Sequence, residues 1–399
     1  MPASPAAGAG DTMAASMNAQ SLAPARARLE FLDALRGLAA AYVLVYHMLL
    51  LPQPGLLAPR WAEKFALNGG TGVTMFFIVS AFSLYYTMPL RLKERSPTAS
   101  FYLHRFFRIA PLFYFLIAAT LVRDAWVFGA KHSLGEIGAS VAFVFNLVPT
   151  GQEGFVWVSW TIGVEMLFYA VFPLLYARIK TIGASVALFF ASLMLWQLVV
   201  MLLDYAVMPD AWKQSILHWS VLRHFPIFAV GIVIYHVFVA LPHAQAQSKS
   251  STGTGNALVW AGVFGYAALL QGWLPNVFGD SYYWQGIVFA CMFMGLALSP
   301  WRLVVNRATR FLGKISYSVY LVHTTVIYFL TPVYHSIYRQ FPSLSVCFLL
   351  SLATTLALVL PLSYLTYRFV EEPGIRLGKR ISRRRAEKAA NPRVSMDVG

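Results

Sequence analysis

Long apolar segments dominate this chain, and they constrain its fold more than any other feature. About ten such segments, each close to the length that crosses a bilayer as an α-helix, follow one another between residues 31 and 370. A membrane-spanning helix satisfies all of its backbone hydrogen bonds internally, so lipid favours it. The segments are continuous rather than alternating in polarity, which argues against a transmembrane β-barrel. The sequence therefore predicts an all-α polytopic membrane protein, a bundle of about ten transmembrane helices.

One further apolar stretch, residues 137–149, is too short for a normal span and suits an interfacial or re-entrant helix better. If it does not cross, both termini are cytoplasmic and most Lys and Arg face the cytoplasm, including the basic cluster of residues 302–314. If it crosses, that cluster moves outside, against the positive-inside rule. The predicted spans are therefore 31–52, 70–90, 108–128, 157–178, 183–204, 221–242, 256–274, 283–303, 312–334 and 343–370.

Composition agrees with a membrane protein and argues against nucleic-acid binding. Hydrophobic residues make up 58% of the chain and charged residues only 12%, against about 25% in a soluble domain. The formal net charge of +15 fits the basic cytoplasmic loops of a membrane protein, so we expect no nucleic-acid partner. Cys291 and Cys347 both fall in apolar segments, and neither a disulfide framework nor a metal motif follows from them.

The chain divides into three regions. Residues 1–29 have the composition of a disordered cytoplasmic N-terminus, 30–373 form the transmembrane domain, and 374–399 a basic cytoplasmic tail suited to anionic lipid. The longest internal hydrophilic stretch, 243–256, is a short linker. We therefore expect the activity to lie within the helical bundle.

Two ionisable residues share the first apolar segment. Arg36 and His47 are eleven positions apart, or about 16 Å along a helix. Glu165 is an acidic residue well inside another segment, and ionisable groups at such positions are costly and usually functional. His47 lies about 24 Å from the cytoplasmic end of its span and Glu165 about 12 Å from the outer end of its own. In a core of about 30 Å, these depths predict one shared pocket.

A histidine and a carboxylate at one depth fit general-base catalysis. A neutral imidazole removes the proton from an attacking hydroxyl, and the carboxylate orients the ring or contacts the acceptor. The alternative is structural: His47 as a packing histidine, and Glu165 as the partner of a buried base. His323 is a second candidate base, with a structural hydrogen bond as its alternative, whereas His224 and His236 are interpreted as packing residues.

A basic cluster is predicted at the cytoplasmic surface. Arg105 and Arg108 are spaced for one helical face, and Arg36 lies at the same surface. Guanidinium groups bind phosphates with two hydrogen bonds each, so the cluster suggests a phosphate site. Its alternative is anchoring to lipid headgroups. Pro111 follows closely, which predicts that the third span begins in a constrained turn.

Taken together, these segments resemble acyltransferase family three, the integral membrane O-acyltransferases that decorate cell-surface glycans and some small molecules. The matching segments are LDALRGLAAAYVLVYH, GGTGVTMFFIVSAF, HRFFRIAP, SWTIGVEMLFYAVFP, GKISYSVYLVH and FVEEP, in family order. One departure is Ala81, where the family usually has glycine after the motif serine; it affects local packing, not the proposed catalytic groups.

The resemblance implies an acyl-CoA donor, usually acetyl-CoA, that enters from the cytoplasm, and a hydroxyl acceptor reached from the outer side. By motif position, Arg36, Arg105 and Arg108 would bind the CoA phosphates. His47 would be the catalytic base, and Glu165 would support it or bind the acceptor.

The resemblance also implies a multi-pass enzyme of the cell inner (plasma) membrane. Its acceptor would be a surface carbohydrate, a lipid-linked sugar or a small molecule. The chain does not show the extracytoplasmic hydrolase-like domain that some members carry, so transfer with a separate partner protein and one-component transfer both stay open. The alternative function is a multi-pass transporter or exporter that uses the same buried His, Glu and Arg as a relay.

Overall fold

The computed structural model describes residues 29–241, 249–276 and 281–390. Over these residues the chain forms fourteen α-helices and no strand. The helices are α1 (Glu30–Leu50), α2 (Arg60–Leu67), α3 (Gly72–Arg91), α4 (Pro97–Arg123), α5 (Leu134–Val141), α6 (Trp160–Arg178), α7 (Ile182–Tyr205), α8 (Asp210–Trp219), α9 (Val221–Ala240), α10 (Lys249–Leu270), α11 (Tyr282–Leu298), α12 (Arg307–Gln340), α13 (Leu344–Thr366) and α14 (Glu372–Ala390).

The all-helical membrane architecture is confirmed. Every predicted span overlaps a helix, and eight helical segments of the described chain are long and apolar enough to cross a membrane. Helix α11 is apolar but has only 17 residues, and α12, with 34, carries many Ser, Thr, Tyr and His residues. The full count of ten spans and the cytoplasmic position of both termini stay predictions.

The stretch at residues 137–149 forms the end of the eight-residue helix α5 and a short 3₁₀ turn, Phe145–Leu147, and does not span. The predicted turn at the start of the third span is wrong. Helix α4 already begins at Pro97 and continues through Pro111. The Pro111 ring packs against Gly374 of α14, which has no side chain. A Cβ at Gly374 would lie only 2.9 Å from the Pro111 Cβ.

Helices α1, α3 and α12 form the centre of the bundle. Helix α12 packs along α1, and the two backbones approach so closely that a Cβ at Gly37 would lie 2.7 Å from the Gly313 nitrogen. Helix α3 meets α1 in the same way, because a Cβ at Gly72 would lie 2.6 Å from the Ala39 oxygen. Small residues allow such contacts between membrane helices. The polar face of α12 therefore lies against the helix that carries Arg36 and His47.

The predicted boundary at residue 373 falls within a helix. Helix α13 continues through a π-helical turn, Tyr367–Glu371, into α14. Helix α14 then packs against the first half of α4. The residues at this boundary therefore belong to the packed bundle, and they contribute to the site described next.

Candidate functional site

A cavity of about 670 Å³ opens within the bundle, with walls from α1, α3, α4, α6, α12 and the π-helical turn. Its lining on α3 runs from Val73 to Leu90, a distance of about 25 Å along the helix. This length is most of the thickness of a bilayer's hydrocarbon core, which is about 30 Å. Four residues of the predicted site line this one cavity: Arg36, Arg105, Arg108 and Glu165.

Arg36 and Arg105 present positive charge to the cavity. Arg36 Nη2 donates a hydrogen bond of 3.1 Å to Ser83 Oγ. The Arg105 guanidinium carbon lies 5.7 Å from the centre of the Tyr169 ring, a cation–π contact. The buried Arg105 Nε has no hydrogen-bond partner among the described residues. These two guanidinium groups therefore keep hydrogen-bonding capacity for an anion.

Arg108 is different, because it is already neutralised. Its Nη1 forms an ion pair with a carboxylate oxygen of Glu371, and Ser318 Oγ donates a 2.8 Å hydrogen bond to the other oxygen. The Glu371 side chain is fully buried, whereas that of Arg108 is 30% exposed. The predicted phosphate cluster thus contains one arginine whose charge is matched inside the protein.

Glu371 is a residue of this site that the sequence did not predict. It stands beyond the last apolar residues, in the polar run FVEEP, where a carboxylate is normally solvated. The sequence signal for Glu371 was the FVEEP segment itself. The resemblance includes this segment but gives no role to its acidic residues. The structure supplies one: the π-helical turn directs the Glu371 side chain back into the bundle toward Arg108.

Glu165 is held by two hydroxyl groups. Ser80 Oγ donates a 2.6 Å hydrogen bond to Glu165 Oε1, and the Tyr169 hydroxyl donates to the same oxygen. The carboxylate therefore faces the cavity that contains the arginines.

His47 lies elsewhere. Its Nδ1 is 3.1 Å from His323 Nε2, the ring centres are 5.0 Å apart, and neither histidine lines the cavity. The structure thus does not bring His47 and Glu165 into contact. Depth along a helix was estimated from sequence, but the direction in which each side chain points was not. Tyr320 connects the two places, because it lines the cavity and its ring centre is 5.9 Å from that of His323.

The two histidines interpreted as packing residues make structural contacts. His224 Nδ1 is 2.8 Å from the Tyr282 hydroxyl, and His236 Nδ1 is 3.1 Å from the Ile232 carbonyl. Within the described ranges, no group of three or more His, Cys, Asp or Glu residues could hold a metal ion.

Known proteins place this site in a family. The family model described as "Acyltransferase domain" matches residues 29–367. Curated proteins from Staphylococcus aureus strains COL, MSSA476 and MRSA252, each named "Putative O-acetyltransferase", are 24% identical over 375 residues. The alignment covers 86% of this chain but only 56% of each relative, so the chain spans little more than half of their length. No solved structure matches.

The match includes α1 through α13 and every residue that lines the cavity, with Tyr367 of the π-helical turn as the last of them. It also includes His47 and His323. The chain belongs to the membrane acyltransferase family that its sequence motifs resemble, acyltransferase family three.

Proposed function

We propose that this protein is a membrane O-acyltransferase that moves an acyl group from cytoplasmic acyl-CoA to a hydroxyl of a cell-surface carbohydrate or glycolipid. The observation that carries the proposal is the single cavity shared by Arg36, Arg105 and Glu165, which runs most of the way across the bundle. Its volume lies within the range of about 300–1,000 Å³ that small-molecule sites occupy. Acetyl is the proposed group, because the relatives are named for O-acetyl transfer.

The donor end of the cavity is the arginine end. Phosphates of CoA would bind Arg36 and Arg105, whose guanidinium groups keep unused donors, rather than Arg108, which pairs with Glu371. Lys314 lines the same end and is exposed, so it would add a third cation. The extended pantetheine arm would then follow the cavity inward, past Glu165 toward Tyr320.

The chemical step would take place beyond Tyr320, at His47. The acceptor hydroxyl attacks the thioester carbonyl while His47 removes its proton; a C–O bond forms, the C–S bond breaks, and the CoA thiolate receives the proton. A direct transfer of this kind needs only one base. Glu165, on the cavity side, would contact the pantetheine arm or order the cavity wall rather than orient the imidazole.

The function is tested by supplying membranes that contain the protein with labelled acetyl-CoA and measuring release of free CoA together with label in surface glycans and lipids. Cells with and without the gene are compared by mass spectrometry of surface polysaccharide and glycolipid. We expect an acetyl mass that disappears with the gene. Movement of a substrate across the membrane with no CoA release would instead support the transporter alternative.

Replacing Arg105 by alanine should raise the KM for acetyl-CoA about tenfold or more, with a smaller change in kcat. A hydrogen bond to a charged group contributes about 1.5–3 kcal/mol, and about 1.4 kcal/mol corresponds to a factor of ten in affinity. The matched control is Arg178→Ala. Arg178 is predicted at the same membrane surface, but it is exposed and does not line the cavity. An equal rise in KM for both variants would refute a specific phosphate site at Arg105.

A further inference from the structure

The proposed reaction uses His47 but gives no task to its neighbour His323. The hydrogen bonds of the two histidines determine which nitrogen of each ring carries a proton. His323 Nδ1 is 3.1 Å from the Val319 carbonyl, and His47 Nδ1 is 3.0 Å from the Val43 carbonyl. A carbonyl oxygen only accepts, so each Nδ1 must carry a hydrogen. Between the rings, His47 Nδ1 and His323 Nε2 are 3.1 Å apart.

One tautomer pair satisfies all three contacts. With Nδ1 protonated on both neutral rings, His323 Nε2 is a bare acceptor, and the His47 Nδ1–H is shared between it and Val43. In the opposite arrangement, His323 Nε2 donates to an unprotonated His47 Nδ1. The lone pair of this Nδ1 then points at the Val43 carbonyl oxygen, and neither atom can donate a hydrogen bond. If His323 is neutral, its bare Nδ1 also faces the Val319 carbonyl. The hydrogen-bond network thus determines the tautomer of each histidine.

This assignment leaves His47 Nε2 as the unprotonated nitrogen. No described residue hydrogen-bonds to it, and the His47 side chain is half-buried, whereas His323 is only 1% exposed. A general base needs an unprotonated nitrogen, and the pairing with His323 keeps His47 Nε2 unprotonated.

We propose that His323 is a positioning residue for the acyl transfer. Its Nε2 accepts from His47 Nδ1–H, holds the ring in one tautomer and keeps Nε2 available to take the proton of the acceptor hydroxyl. The role resembles that of the carboxylate in a catalytic triad, but with a neutral acceptor. When His47 Nε2 takes the proton, His47 becomes an imidazolium whose Nδ1–H still bonds to His323. The inference rests on the proposed function, because it assigns a task within that reaction.

The fold supports a positioning role. His323 lies on α12, one helical turn beyond Tyr320, and α12 packs tightly along α1 through the close approach of Gly37 and Gly313. Both rings are thus carried by rigid helices rather than loops. Rigid placement of this kind keeps a catalytic group within a fraction of an ångström of its working position.

Three substitutions separate positioning from packing. His323→Gln places an amide oxygen near the former Nε2 and keeps an acceptor, whereas His323→Leu fills the space without one. We expect His323→Leu to lower kcat about 100-fold or more, with the KM for acetyl-CoA within about twofold, because a base in the wrong tautomer loses most of its catalysis. His323→Gln should retain a kcat within about tenfold of the natural protein. His47→Ala, in the same assay, reports on the base itself.

A spectroscopic readout does not depend on turnover. In protein labelled with ¹⁵N-histidine, the His47 signal should show Nδ1 protonated and Nε2 bare, and His323→Leu should convert it to a mixture of tautomers. The proposal is overturned if His323→Leu keeps full kcat, or if His323→Gln and His323→Leu lose kcat equally. If His47→Ala remains active, the proposed base is wrong. An inactive His47→Ala with a fully active His323→Leu removes only the positioning role.

Discussion

Replacing His47 by alanine is expected to abolish acyl transfer while the helical bundle still assembles. General-base catalysis contributes about 10²–10⁴-fold to a rate, so the variant should lose at least that factor in kcat. The fold should persist because, within the described part of the chain, the ring makes only two polar contacts, to Val43 and His323. The measurements are kcat for acetyl transfer, and insertion and thermal unfolding of the purified variant in detergent.

The control for His47→Ala is His218→Ala. His218 lies on α8 and is exposed, and among the described residues its side chain hydrogen-bonds only to the Gln214 carbonyl of its own helix. Its removal should leave kcat unchanged. Full acetyl transfer by His47→Ala would show that the proton goes to another group and would remove His47 from the mechanism. A loss of folding in His47→Ala would be seen first as reduced insertion.

Much of the architecture was predictable, because in a membrane the length of an apolar run nearly determines the helix that it forms. Each predicted span overlaps a helix for this reason, and the short stretch at 137–149 forms no helix long enough to span a membrane. Helix start points were less predictable. Helix α4 begins at Pro97, within a polar segment, and α14 packs against its first half; no local pattern indicates that contact.

The site was predictable in its parts but not in its pairing. Arg36, Arg105 and Arg108 meet in one cavity because they share a depth and lie on neighbouring helices. Glu165 and His47 were also predicted to share a depth, yet in the structure they lie in different surroundings. Rise per residue gives height from sequence, whereas the rotation of each helix about its axis depends on packing. The partner of His47 is therefore a residue of α12, 276 positions away in the chain.

Glu371 shows the same limit. A carboxylate in FVEEP is expected to be solvated, since the apolar run has ended. Its burial follows from the π-helical turn at Tyr367–Glu371 and from the guanidinium on α4 that meets it. A buried charge is tolerated where an opposite charge compensates it. Here that charge is on Arg108, which was predicted from the sequence only to bind phosphate. Arg108 therefore gains a structural role that its position in the motif does not reveal.

This role predicts an asymmetry between two substitutions. Arg108→Leu should destabilise the protein by about 3–5 kcal/mol, because it leaves the fully buried Glu371 carboxylate without its counter-charge. Glu371→Leu should cost less, since Arg108 is 30% exposed and lines the cavity, where water can solvate it. Unfolding midpoints of the purified variants in detergent measure both effects.

The double variant Arg108→Leu/Glu371→Leu should be more stable than Arg108→Leu alone, because a buried ion pair replaced by apolar side chains leaves no charge uncompensated. Arg105→Leu is the contrasting control: no described carboxylate pairs with Arg105, and the variant loses only the cation–π contact with Tyr169, so we expect a smaller loss of stability than for Arg108→Leu and a fall in donor affinity. If Arg108→Leu is instead as stable as Arg105→Leu and loses donor affinity to the same extent, the two arginines act alike on the donor. The ion pair with Glu371 would then contribute little to the fold. A stable Arg105→Leu beside an unstable Arg108→Leu would assign donor binding to the first arginine and structural support to the second.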